Sequence, residues 1–293
     1  MRTNTKKIYA GGINTPSHIG LNRDKGVALA RTLYNAYMNR KFIYAVQNTT
    51  TAPQNVFKPT DNSILKNSSY QKELSDEDGV MFLSLLRATE NENTGINHLR
   101  PGSKEERCWH FFSTGTDRRQ VSNNVYRTHA ALYRKYPELY SKDVTLLTKD
   151  RLEEILRAEK MGIPSQSAEF WLCCAKTLFE DFDGDPVNIF KACGGTVNGV
   201  LAFKDSKKDD PLKGYGPKIT SLLALFLSEI GAMPFPDDAF AVDMHVQRLF
   251  QHVGALEFFE TRTNEELEKE LRPFLCETRL ANNMEPISMA HSF

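Results

Sequence analysis

A chain of 293 residues with 40% apolar and 25% charged side chains can bury one large core or two smaller ones. Its longest apolar run covers only 222–227, far too short to cross a bilayer, and no apolar signal region follows the basic start "MRTNTKKIYAGG". Five cysteines without C-x-x-C spacing argue against a disulfide framework or a cysteine-held metal cluster, so a reduced, cytoplasmic protein without cofactor is expected.

Net charge is zero, with 37 basic and 37 acidic side chains, but it is unevenly spread. Residues 1–50 carry eight cations (Arg2, Lys6, Lys7, Arg23, Lys25, Arg31, Arg40, Lys41) against Asp24 alone, a net +7. Residues 101–150 hold nine cations against six anions, and acidic residues gather in 256–277. Such segregation permits one basic face toward a polyanion; solvated faces that merely differ would give the same map.

Apolar residues at three- and four-residue spacing (Val27, Ala30, Leu33, Tyr34, Tyr37) predict a first helix over 24–46. An irregular Thr-, Asn-, Ser- and Pro-rich loop follows over 48–69, then a helix over 76–89 and a turn-rich link over 91–104. Further helices are predicted over 105–112, 121–133, 148–160, 166–182, 218–230, 243–253 and 264–274. No strand alternation interrupts them, so the expected fold is all-α. Cys173 and Cys174 lie on an apolar helix and read as packing, while Asp183 and Asp185 in "FDGDP" read as turn formers. Trp109, Phe170, Trp171 and Tyr215 could stack on a base, but aromatic residues at helical spacing are more often core.

The most informative stretch is "LKGYGPKIT". Gly214 and Gly216 permit positive φ or close backbone approach, and Pro217 suits the first helical position. Ile219, Leu222, Leu223, Phe226, Leu227 and Ile230 then form a broad apolar face, and Gly231 ends the helix. A glycine turn that opens a helix presents free N–H groups to an anion such as a backbone phosphate. Lys218 stands in the turn of the helix least favourable to a cation. Helix dipole and partial burial both favour the neutral, nucleophilic amine there; an ordinary solvated lysine is the plainer alternative. Downstream, Asp243 opens the amphipathic pattern "DMHVQRLFQHVG" as an N-cap, with His245 supporting its turn. A capping carboxylate beside such a lysine could also stabilise positive charge at a sugar anomeric carbon.

Gly214-Tyr-Gly-Pro-Lys218 with the downstream Val242-Asp243 resembles the helix-hairpin-helix DNA glycosylase superfamily, the group of endonuclease III and 8-oxoguanine glycosylase. Segments 111–139 and 161–186 are similar to the helices around that family's core, so the resemblance covers about 105–255. It implies two helical subdomains with a cleft between them. Residues 1–104 would be a basic N-terminal extension packed on the core, and 256–293 would complete the second subdomain. By this resemblance Lys218 is the Schiff-base nucleophile of the bifunctional branch and Asp243 the essential carboxylate, giving DNA N-glycosylase and AP-lyase activity. The implied partner is double-stranded DNA carrying a damaged or modified base flipped from the stack, bound by a monomer. Gly214, Tyr215, Gly216 and Arg248 would contact DNA, joined by Arg31, Arg40 and Lys41 on the basic N-terminal segment. Gln47 and Trp171 are candidates for the base pocket or for filling the gap left by the base. The chain departs from the family in having Gly115 where glutamine often stands and Lys213 where proline is usual. The alternatives are a non-catalytic helix-hairpin-helix DNA-binding protein and a glycosylase acting on RNA or free nucleotides.

Overall fold

The computed structural model describes residues 20–38, 99, 102–117, 122–207, 209–256 and 264–291. Among these residues the secondary structure is helical, and the one β-bridge is an isolated contact between Leu21 and Leu256. Among the described residues no helix is long and apolar enough to cross a membrane.

Two hydrophobic cores organise the chain. The first is centred on α2 (Lys104–Thr116), which begins at the cap Ser103, whose hydroxyl accepts from the Glu106 N–H, while the Glu106 carboxylate accepts from the Gly102 N–H. Trp109, Phe111 and Phe112 on α2 are fully buried, as expected of a helix enclosed on all sides. Around it lie α3 (Ser122–Lys135), α4 (Lys149–Ala158), α5 (Pro164–Asp181), α6 (Pro186–Ala192), α7 (Val197–Asp205) and α8 (Pro217–Glu229). Two short 3-10 turns, Pro137–Tyr140 and Lys142–Leu146, join α3 to α4.

The centre of this core is an aromatic stack. Trp171 of α5 lies between Phe112 and His129, both at 5.0 Å between centroids and nearly parallel. The indole N–H donates to the Leu139 carbonyl at 2.9 Å. His129 lies 2.6 Å from the Thr116 hydroxyl and 2.8 Å from that of Tyr140, and burial lowers its pKa to about 3. Gly115 explains how α2 and α5 come so close: a Cβ there would stand 1.9 Å from Cζ of Phe170.

The second core is assembled from residues near the start of the described chain and residues beyond 239. It joins α1 (Arg23–Met38) to α9 (Met244–His252), α10 (Asn264–Ala281) and α11 (Pro286–His291). Ala30, Val246, Phe250, Leu271, Phe274 and Met289 pack together, with Val27 and Tyr34 against them. The Asn22 N–H donates to the Ala255 carbonyl at 2.8 Å, and the Glu285 N–H donates to the Tyr34 hydroxyl at 3.1 Å. The chain passes from the first core to the second between Ala239 and Phe240, so residues 105–255 draw on both.

Several elements differ from expectation. Helix α10 runs on to Ala281 through Pro273, because Leu271, Phe274 and Leu275 keep one continuous buried face despite the lost N–H. The short helices α6 and α7 were absent from the apolar periodicity; each is started by a side-chain cap, from Asp185 and Thr196 respectively. The helix predicted over 76–89 and the loop over 48–69 lie outside the described residues.

Candidate active site

The turn that leads into α8 is held from beneath. Tyr215 is 1% exposed; its ring stacks on Phe111 at 5.0 Å, and its hydroxyl donates to the Phe111 carbonyl. The Cys173 thiol donates to the Asp210 carbonyl at 3.1 Å and the Cys174 thiol to the Lys213 carbonyl at 3.5 Å. The Lys213 ammonium pairs with Glu169 of α5. Gly214 has φ +89°, a conformation that favours glycine, whereas Gly216 is extended, caps α8 and has open space around its Cα. Pro217 then occupies the first turn and Lys218 follows, its side chain 41% exposed.

Asp243 arrives from the other core. It is the N-cap of α9, and its Oδ1 accepts from the backbone N–H groups of His245 at 2.7 Å and Val246 at 3.0 Å. Its Oδ2 lies 3.7 Å from Nζ of Lys218. One carboxylate oxygen therefore holds the helix start while the other faces the amine. The neighbours of Lys218 and Asp243 in sequence, Ile219 and Val242, belong to the first and second core respectively. The pair thus spans the junction, with both members on helix N-termini and both partly open to solvent.

This arrangement can accept a proton from the ammonium, present the freed amine as a nucleophile, and offset positive charge on a substrate held beside it. Lys218 and Asp243, separated by 25 positions in sequence, meet as expected. Gly214 and Gly216 form the turn beside them. Arg248 on α9 and Arg31 on α1 are exposed. Arg40, Lys41 and Gln47 lie outside the described residues.

Two expectations require correction. Tyr215 does not present its ring to a nucleic acid: the ring is enclosed against Phe111 and serves to anchor the turn. Trp171 does not line a base pocket: it is 0% exposed and stacked against Phe112 and His129 in the interior. Residues 113–117 are likewise interior, so this segment of α2 offers no side chain to a base stack. The thiol anchors of Cys173 and Cys174 carried no signal beyond an apolar helix, because their partners are backbone carbonyls.

Among the described residues no group of three or more His, Cys, Asp or Glu side chains is arranged to hold a metal ion. No family model, curated protein or solved structure matches the chain.

Proposed function

We propose that this protein is a DNA glycosylase with AP-lyase activity, resembling the helix-hairpin-helix superfamily in its site. The observation that carries this reading is the 3.7 Å approach of Lys218 Nζ to Asp243 Oδ2 across the junction of two cores. A double-stranded DNA substrate would present a modified base flipped from the stack, with a backbone phosphate at the first turn of α8, since the N–H groups of Tyr215 and Gly216 already donate to the carbonyls of Leu212 and Gly214. Oδ2 of Asp243 takes the proton of the Lys218 ammonium. The amine attacks C1′ as the glycosidic bond breaks, and the departing base takes the bonding electrons and the proton that Asp243 had received, which restores the carboxylate. The same carboxylate stabilises the cationic character that develops at C1′. Opening of the sugar yields an imine between Lys218 and C1′. Loss of a C2′ proton then expels the 3′ phosphate by β-elimination, and water releases the enzyme.

A non-catalytic DNA-binding protein would need the glycine turn but would have no use for the second carboxylate oxygen. The test is incubation of the purified protein with duplexes carrying a panel of oxidised purines, oxidised pyrimidines and bulky modified bases, in the presence of borohydride. A covalent protein–DNA adduct through Lys218, lost in Lys218→Gln, is the expected result. An adduct of undiminished yield in that variant would show that another residue is the nucleophile. DNA binding without excision on any duplex would favour the non-catalytic alternative.

A further inference from the structure

Lys218 and Asp243 belong to different cores, so their separation is set by whatever locks the cores together. A buried guanidinium occupies that place. Arg272 of α10 has a side chain only 8% exposed, and its Nε donates to Oε1 of Glu268 at 2.8 Å. Its Nη1 donates to the Asp238 carbonyl at 3.0 Å and its Nη2 to Oδ1 of Asn198 at 2.8 Å. Asp238 adds a second link through its carboxylate, which accepts from the Val197 N–H at 2.9 Å and the Asn198 N–H at 2.7 Å. One side chain therefore ties three elements: α10 of the second core, α7 of the first, and the strap, residues 230–243, that crosses between the cores. Helix α7 leads through the turn to Lys218, and the strap leads directly to Asp243. Buried, directional and planar, the fork can fix these elements in a way that a lysine cannot.

We propose that Arg272, with Asn198 as its first-core partner, is a positioning residue that sets the Lys218–Asp243 separation, a role that rests on the function proposed above. Substitution here should change the geometry of the pair without touching either member. Reaction at a centre displaced by about 1 Å slows by roughly 10²-fold.

The variants Arg272→Lys and Asn198→Ala test this. The first keeps a cation beside Glu268 but cannot reach both Asn198 and the Asp238 carbonyl; the second removes one contact at an exposed residue. Zero-length carbodiimide coupling reads the geometry directly as the yield of the Lys218–Asp243 isopeptide, measured by mass spectrometry. The Lys135–Glu159 pair, 2.8 Å apart within the first core, serves as the internal standard. Both variants should lose Lys218–Asp243 coupling relative to that standard, Arg272→Lys more than Asn198→Ala. Borohydride trapping at saturating DNA should fall about tenfold or more in Arg272→Lys, with DNA affinity little changed. Wild-type coupling in a folded Arg272→Lys protein would overturn the proposal, whether or not the protein cuts DNA. Absence of trapping in the wild type would instead overturn the glycosylase function and leave the coupling result to judge the latch.

Discussion

The two cores differ in how they are built. The first is one run of chain around an aromatic stack, closed on all sides, with its glycine placed where two helices touch. The second joins α1 to helices more than two hundred positions away in sequence, through aliphatic, phenylalanine and methionine contacts and a few backbone bonds at its rim. The first core supplies the amine, on a turn anchored from beneath by Tyr215, Cys173 and Cys174. The second supplies the carboxylate, on a helix whose core closes only when α1 is in place. A lysine on a turn anchored from beneath and a separately assembled carboxylate make the junction the decisive part of the molecule for the proposed chemistry.

The largest effect that sharpens this contrast is expected at Asp243. Asp243→Asn keeps an oxygen for the cap but removes the charge facing Lys218, so base excision should fall by about 10²–10³-fold while the melting temperature changes little. Near-normal single-turnover excision by the folded variant would reduce Asp243 to a cap.

Glycines separate core from site. Gly115→Ala drives a methyl group into the Phe170 ring, and overpacking of this kind costs about 1–3 kcal/mol, measurable by urea denaturation. Gly216→Ala has open space and an ordinary negative φ, so stability should hold. A loss of DNA affinity in that second variant, without a change in melting, would locate a phosphate at the turn.

The first core should also carry its own acid sensitivity. His129 is buried neutral with its pKa lowered to about 3, below the ordinary value of 6.5. On acidification the unfolded chain takes up this proton while the folded chain resists it. The stability is therefore complete above about pH 6.5 and is lost as pH falls toward 3, by about 1.4 kcal/mol per pH unit. Denaturant titrations at pH 7, 6 and 5 should show this slope in the wild type and a shallower one in His129→Gln. Equal slopes would assign the acid limb to other groups.

The smallest effect concerns the exposed side of the second core. Each phosphate contact adds roughly 0.9 to the slope of log affinity against log salt, so Arg31→Gln should flatten it by about that amount if Arg31 reaches DNA. Neutralising Arg31, Arg40 and Lys41 together should flatten it by about two to three. An unchanged slope would turn the basic segment away from the nucleic acid.

Much of this was legible in local chemistry. Apolar residues at helical spacing identified α2, α3, α4, α5, α8 and α9 to within a few positions and the start of α1, whose predicted end at 46 lies outside the described residues, since each has a stripe to bury. Pro217 and the cap at Asp243 marked helix starts because orphan N–H groups there demand particular residues. The pairing of Lys218 with Asp243 was an inference from motif, and it agrees with the observed contact. Short helices were less legible: α6 and α7 have too few turns for a period to emerge.

The sequence by itself determined that the chain would be helical, where most helices begin, and which amine and which carboxylate stand at helix N-termini, because those choices depend on neighbours a few residues apart. Tertiary structure alone decided that Tyr215 and Trp171 are interior, that α10 continues through Pro273, and that α1 completes the core that carries Asp243. Burial is a property of what packs against a residue, and those partners lie far away along the chain. The separation of Lys218 from Asp243 is of the same kind: it depends on how two cores meet, and on a guanidinium whose contacts with Asn198 and Asp238 no local pattern announces.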